Sequence, residues 1–135
     1  MSDTQEFRLE FDSMPDPLVR GNARGGWRPR AAATRALRDA TFIKMLEAGQ
    51  GHWPRFQKAI VTYHAYWCQK PIDRDNLIKG CKPILDELTD QNHQYAGREI
   101  RLLYDDAPDR VDIRTEYTRV KHRKDVKLVV TVEGA

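Results

Sequence analysis

The sequence predicts one small domain of mixed α/β (α+β) class over residues 1–135. Segments that alternate apolar and polar side chains, or that are rich in β-branched and aromatic residues, are interleaved with segments of helical apolar periodicity. A chain of 135 residues with 40% hydrophobic content suits a single core. The predicted element order is β-α-β-α-β-β-β, with a mixed sheet packed against two main helices.

The N-terminal part is expected to contribute one strand and one helix. Residues 7–11 alternate apolar and charged side chains, which predicts a half-buried strand that the proline-containing segment 13–17 ends. Residues 20–38 contain six arginines and no acidic residue, and the glycines in their first half predict a loop. A helix is predicted over residues 31–47. Its expected buried stripe is Ala36, Leu37, Ala40, Ile43 and Leu46.

The C-terminal part predicts a central strand, a second helix and three further strands. Residues 58–67 are β-branched and aromatic, which favours the central strand. Residues 76–88 place apolar side chains at i, i+3/i+4 and i+7, so a helix is predicted there. Pro83 removes one backbone hydrogen bond and is expected to kink this helix near Lys79. The remaining strands are predicted over residues 100–104, 111–118 and 126–132.

Several protein classes are disfavoured by the composition. No apolar run approaches 18 residues, so no membrane-spanning helix is expected, and the acidic, polar N-terminus does not resemble a signal peptide. Cys68 and Cys81 give neither a disulfide framework nor a zinc pattern, which suits reduced cysteines in the cytoplasm. Because the net charge is only +3, affinity for nucleic acid depends on where the charge lies.

Acidic residues follow two of the predicted strands. Asp73 and Asp75 lie between the central strand and the second helix, and Asp105 and Asp106 lie at the end of the strand predicted over residues 100–104. One aspartate would serve as a helix cap, and a turn often carries acids for its own hydrogen bonds. Carboxylates that converge from separate elements repel each other unless a cation lies between them, and hard oxygen ligands suit Mg²⁺ or Mn²⁺. The pattern indicates a metal-dependent nuclease.

Basic residues supply the second part of the pattern. Lys79 and Lys82 share one helical face with Asp75 and Asp86, which is either an ordinary solvated face or a lysine placed near a phosphate. The arginine-rich segment contains Trp27 and is either a solvated surface or a phosphate-contacting segment with a stacking surface. The DNA-binding candidates are Arg20, Arg24, Arg28, Arg30, Arg35, Arg38, Lys121, Arg123 and Lys124.

These residues resemble a known family, the RusA-type Holliday junction resolvases, also called crossover junction endodeoxyribonucleases. The resemblance rests on three short segments and covers residues 58–132 best. The N-terminal part matches only in kind, by a strand, a basic loop and a basic helix. The three segments are Asp73-Arg74-Asp75-Asn76-Leu77-Ile78-Lys79, Lys82-Pro83-Ile84-Leu85-Asp86-Glu87-Leu88 and Tyr104-Asp105-Asp106-Ala107.

The resemblance implies a small homodimer that binds four-way DNA junctions and resolves them by paired symmetric nicks during recombination and repair. It implies a Mg²⁺ or Mn²⁺ cofactor and a bacterial or phage-infected cytoplasm. Carried over by position, the metal ligands are Asp73, Asp75 and Asp106, and the catalytic lysine is Lys79. Lys82 is then expected to contact a flanking phosphate or to pair with a helical acid. The alternates for these roles are Asp105, Lys82 and Asp86.

Two departures from the family pattern leave alternatives open. The family places the helical acid four residues after the lysine, whereas Asp86 lies seven residues after Lys79 and four after Lys82. This spacing looks like a three-residue insertion, and it leaves either lysine as the acting one. Residues 89–101 are also longer than the turn usual there. The alternative functions are a catalytically inactive DNA-binding protein of the same fold, or a metal nuclease that acts on forks or flaps.

Overall fold

The computed structural model describes residues 6–15 and 27–135. It shows a small mixed α/β domain with a four-stranded mixed sheet, a second sheet of two short strands and three α-helices. Within these residues, no helix combines the length and the apolar character that crossing a bilayer requires. The elements are β1 (Glu6–Phe11), α1 (Trp27–Gly49), β2 (Ala59–Trp67), α2 (Arg74–Gly80), α3 (Lys82–Leu88), β3 (Gln94–Tyr95), β4 (Arg98–Glu99), β5 (Val111–Arg119) and β6 (Lys127–Gly134).

The main sheet has the strand order β1-β6-β2-β5. Strand β6 pairs antiparallel with β1 and β2, and β2 pairs parallel with β5. The predicted central strand is therefore confirmed, since β2 is hydrogen-bonded on both sides. Its alternate residues Ala59, Val61, Tyr63 and Ala65 are buried, because side chains along a strand point to opposite faces. The strands predicted at residues 7–11, 111–118 and 126–132 are also confirmed.

Helix α1 begins earlier than the sequence predicts. It includes Trp27 and Pro29, because proline is tolerated in the first helical turn, where its missing N–H would have no partner. The predicted stripe is right for Leu37, Ala40 and Leu46, which pack against the core, but wrong for the exposed Ala36 and Ile43. The fully buried positions are Thr41 and Met45. The Thr41 hydroxyl donates to the Leu37 carbonyl at 2.7 Å, which satisfies the buried polar group.

The second predicted helix is divided into α2 and α3. The division falls at Cys81, two residues after the predicted kink, and Pro83 occupies the first turn of α3. Pro83 has no N–H to donate to the carbonyl four residues earlier, so the helix cannot run through this point unbroken. The predicted apolar stripe is confirmed at its buried members Leu77, Cys81, Ile84, Leu85 and Leu88.

The strand predicted over residues 100–104 is wrong. Leu103 forms only an isolated parallel bridge with Phe56, and the N–H groups of Leu102 and Leu103 both donate to the Leu88 carbonyl, at 2.9 and 3.1 Å. Ile100, Leu102 and Leu103 are buried in the core, so the apolar run reflects burial of an irregular segment. The preceding polar segment contains the small hairpin β3–β4, which turns at Ala96 and Gly97, where φ is 53° and 78°.

Candidate functional site

The two aspartates of the first acidic pair lie at the start of α2. Asp73 occupies the N-cap position, but its side chain makes no capping hydrogen bond, and Asp75 is in the first turn. Both side chains are exposed. The helix-cap interpretation therefore does not account for Asp73. Helix α2 packs against β5, where Arg74 Nη2 donates to the Ile113 carbonyl at 3.4 Å, so the start of α2 lies over the first half of β5.

Lys82 connects α3 to the second acidic pair. Its Nζ atom lies 2.5 Å from Asp106 Oδ2 and 3.1 Å from Asp86 Oδ1. The hydrogen bond to Asp106 raises the pKa of Lys82, and the same bond lowers the pKa of Asp106. The ammonium group thus lies between a carboxylate of the helix and a carboxylate of the loop that precedes β5.

Lys79 is exposed in the last turn of α2. Among residues 6–15 and 27–135, no carboxylate lies within ion-pair distance of its ammonium group. The structure therefore brings together Lys82, Asp86 and Asp106 and leaves Lys79 apart from them. Metal binding by Asp73, Asp75 and Asp106 remains a prediction, since the carboxylate oxygens of these three residues do not all lie within 4.8 Å of one another.

Asp105 and Asp106 have different surroundings. Asp105 Oδ1 accepts a hydrogen bond from the Ala107 N–H at 3.0 Å, and its Oδ2 lies 3.5 Å from Arg110 Nε. Asp105 thereby shapes its own turn, as aspartates commonly do. Asp106 instead faces Lys82, which makes it the better placed of the two for the ligand role.

Tyr63 is a site neighbour that the sequence interpretation did not single out. It belongs to β2 and is 1% exposed. Burial raises the pKa of its hydroxyl well above the usual range, and the charges of Asp86 and Asp106 act in the same direction. Tyr63 is thus a buried phenol of the central strand, within electrostatic reach of Asp86 and Asp106. Its place in an alternating buried strand was visible in the sequence. The acidic residues whose charges act on it, Asp86 and Asp106, come 23 and 43 positions later in the chain.

The predicted DNA-binding residues are distributed over two regions. Arg20 and Arg24 lie outside the described residues. Arg28, Arg30 and Arg35 are exposed on α1, and Trp27 is 73% exposed with the Arg28 guanidinium 5.3 Å from its ring. The second region is the turn between β5 and β6, where the exposed residues are Lys121, Arg123 and Lys124.

Arg38 has a different environment from the other arginines of α1. It donates from Nε to Glu87 Oε2 at 3.0 Å and from Nη2 to Asp90 Oδ2 at 2.8 Å. The Glu87 carboxylate is almost fully buried, so the guanidinium balances a charge that has left water. Two of the Arg38 donors are thus used to hold α1 to α3.

Glu87, Asp90 and His93 form the one group of three metal-ligand side chains whose ligand atoms lie within 4.8 Å of one another in the described part of the chain. Glu87 Oε1 and His93 Nδ1 are in contact, but neither has a hydrogen-bond partner of suitable geometry among the described residues. Arg38 pairs with both carboxylates, and its single positive charge offsets one of their two negative charges. Glu87, Asp90 and His93 are therefore best described as part of an ion network that links Arg38 of α1 to α3 and to the segment just after it.

Neither a protein-family model nor a curated protein matches this chain. The chemistry of the site has to be inferred from its side chains. Three exposed carboxylates, Asp73, Asp75 and Asp106, come from two separate segments and offer hard oxygen donors. This donor set fits Mg²⁺ or Mn²⁺ rather than a softer metal.

Proposed function

We propose that the protein is a Mg²⁺- or Mn²⁺-dependent endodeoxyribonuclease of the RusA type, which resolves four-way DNA junctions in a bacterial or phage-infected cytoplasm. The observation that carries the proposal is the Lys82 ammonium between Asp86 and Asp106. Asp73 and Asp75 lie exposed at the start of α2, where the Asp73 side chain makes no capping hydrogen bond. Lysine and several carboxylates are the side chains needed for metal-assisted hydrolysis of a phosphodiester.

In this proposal, Asp73, Asp75 and Asp106 hold the metal. The bound ion would activate a water molecule and polarise the scissile phosphate. Lys82 or Lys79 donates to a phosphate oxygen and offsets the charge that develops there. If Asp106 held the metal, the Lys82 ammonium, now paired with Asp106 and Asp86, would be free to donate to a phosphate oxygen.

The remaining basic residues position the DNA. Arg28, Arg30 and Arg35 on α1, with Lys121, Arg123 and Lys124 at the turn after β5, supply exposed positive charge for phosphate contacts. A homodimer would present two such sites related by a twofold axis, which would match the near-twofold symmetry of a four-way junction and would produce paired nicks.

The test compares single Asn variants of Asp73, Asp75 and Asp106 on an end-labelled four-way junction. Each is expected to lower single-turnover cleavage in Mg²⁺ by about two orders of magnitude or more. Junction binding in EDTA should stay near the parent value, because positioning contacts come from elsewhere. Asp112→Asn, which changes an exposed acid of β5 that pairs with Arg114, is the matched control and should cleave normally.

The same experiment separates the alternatives. Fork, flap and duplex substrates of equal length show whether the junction is preferred, and faster cleavage of a fork or flap would replace the junction assignment. Tight binding without cleavage in Mg²⁺ or Mn²⁺ would identify an inactive DNA-binding protein. Full activity of Asp106→Asn would remove Asp106 from the ligand set and direct attention to Asp105.

A further inference from the structure

A cluster of arginines surrounds Tyr104, the residue two positions before Asp106. The Tyr104 side chain is 42% exposed. Three guanidinium groups lie near its ring, those of Arg55 at 5.5 Å, Arg101 at 5.4 Å and Arg110 at 6.0 Å from the ring centre. Arg101 and Arg110 lie three and six positions from Tyr104, Arg55 comes from a distant segment, and no charge run marks them. The fold therefore creates a basic and aromatic surface that differs from the arginine-rich segment.

Positive charge exceeds negative charge in this cluster. Arg55 and Arg101 share a single carboxylate, Glu99, at 2.8 and 3.3 Å. The Arg110 Nε atom lies 3.5 Å from Asp105 Oδ2, which is a long distance for an ion pair, and the Arg110 side chain is 44% exposed. A further anion could therefore approach Arg110 without displacing a short ion pair.

An open cleft of about 590 Å³ adjoins the cluster. Its lining includes three cationic side chains, those of Arg55, Lys58 and Arg110, together with the acidic Asp109 and the last residue, Ala135. Arg55 and Arg110 belong both to the cleft and to the surroundings of Tyr104, so the cleft and the exposed ring form one continuous surface. The cations suit phosphate groups, and the ring suits a planar base or a sugar.

We propose that Tyr104, Arg55, Lys58 and Arg110 form a contact site for an unpaired nucleic-acid strand. Bases in a duplex are stacked on each other, whereas an unpaired base can stack on an exposed aromatic side chain while cations hold its backbone. The site deepens the proposed nuclease function on which it rests, because it would hold nucleotides whose pairing is opened at the strand exchange point. The proposal thus states which residues outside the carboxylate cluster would contact unpaired nucleotides of the substrate.

The experiment measures binding without metal, so that it does not depend on cleavage. Fluorescence anisotropy in EDTA is recorded with a labelled 20-nucleotide single strand and with a duplex of the same sequence, over a range of salt concentrations. Arg110→Gln and Lys58→Gln should each weaken binding of the single strand several-fold and lower the slope of log affinity against log salt by about 0.7. Tyr104→Ala should weaken it at least about fivefold, whereas Tyr104→Phe, which keeps the ring, should bind as the parent does.

Arg8→Gln is the matched control, since Arg8 is also exposed and paired with a carboxylate, Glu10, but lies on β1 at the opposite edge of the sheet. It should bind the strand as the parent does. Unchanged binding by Arg110→Gln and Lys58→Gln, or an equal loss in Arg8→Gln, would overturn the site. An equal loss on the duplex would overturn its assignment to unpaired nucleotides. Loss of cleavage alone, with these binding results intact, would count against the nuclease proposal and not against this site.

Discussion

The sequence pattern and the structure place different lysines beside the acidic residues, and Lys82 is the one found there in the structure. The family spacing from Asp75 points to Lys79, whereas the ammonium group found beside Asp106 is that of Lys82. In an unbroken helix, three residues correspond to about 300° of rotation and about 4.5 Å along the axis, so both lysines would stay near one face. The chain instead ends α2 at Gly80 and begins α3 at Lys82, which frees the second lysine to approach the loop before β5.

Substituting Lys82 and Lys79 separately tests which lysine donates to the phosphate during cleavage. We expect Lys82→Ala to lower single-turnover cleavage at saturating enzyme by about two orders of magnitude, in line with the loss of one transition-state donor. Lys79→Ala should mainly weaken junction binding and leave the saturated rate within about tenfold of the parent. The reverse result, a slow Lys79→Ala and a nearly normal Lys82→Ala, would return the catalytic role to Lys79 and make Lys82 a structural partner of Asp86.

At the residue level, the sequence singled out Lys82 and Asp106 as candidates but did not predict that they pair. Asp106 and Lys82 were both visible as candidates, yet they lie 24 positions apart, and their contact depends on how an irregular segment folds. The arginines around Tyr104 were not visible at all, because each is an ordinary isolated arginine in the sequence. Long-range convergence of this kind leaves no local periodicity or spacing to detect.

At the level of elements, the predictions succeeded where burial and periodicity coincide. Strand β1 alternates between the two faces of the sheet, so a period-two pattern located it, whereas the β-branched and aromatic composition of β2 located the central strand. The segment of residues 100–104 failed because its leucines are buried without a strand partner on either side, apart from one bridge. Hydrophobicity reports burial, and an apolar run too short to show a period cannot distinguish a strand from a buried loop.

The ion network of Arg38 gives an element-level prediction for stability. Arg38→Ala leaves the Glu87 carboxylate buried without its guanidinium partner, since the Glu87 side chain is 1% exposed. Because the Arg38 side chain is 38% exposed, we expect a loss of roughly 2 kcal/mol in the free energy of unfolding, below the cost of breaking a fully buried pair. Urea denaturation measures it. Arg35→Ala, on the exposed side of the same helix, should cost no more than about 0.5 kcal/mol.

A small effect in Arg38→Ala, equal to that of Arg35→Ala, would mean that α1 is held to α3 by apolar packing alone. Arg38 would then be available for the DNA contact that its place in the arginine-rich segment suggests. Comparing Arg38→Ala with Arg35→Ala therefore distinguishes a structural role of Arg38 from a DNA-binding role. The free energy of unfolding tests the structural role, and junction affinity tests the DNA-binding role.

On the scale of the whole molecule, the sheet brings the two acidic segments to one region. The chain leaves β2 at Trp67 and turns back, so that Arg74 at the start of α2 reaches Ile113 near the start of β5. The loop that carries Asp106 leads directly into β5. The parallel pairing of β2 and β5 requires this crossover connection, and the crossover carries α2 and α3 with their carboxylates and lysines.

The distribution of charge over the molecule gives the last prediction. The net charge of +3 is small for long-range attraction to DNA, so the proposed binding would depend on local contacts. The double variant Arg28→Gln/Arg35→Gln removes two exposed cations of α1 and should lower the slope of log junction affinity against log salt by about 0.9 for each phosphate that the protein no longer neutralises. The double variant Arg8→Gln/Arg114→Gln makes the same change in net charge on the sheet and should leave the slope near the parent value. Equal slopes for the two double variants would show that total charge, and not the surface of α1, governs binding.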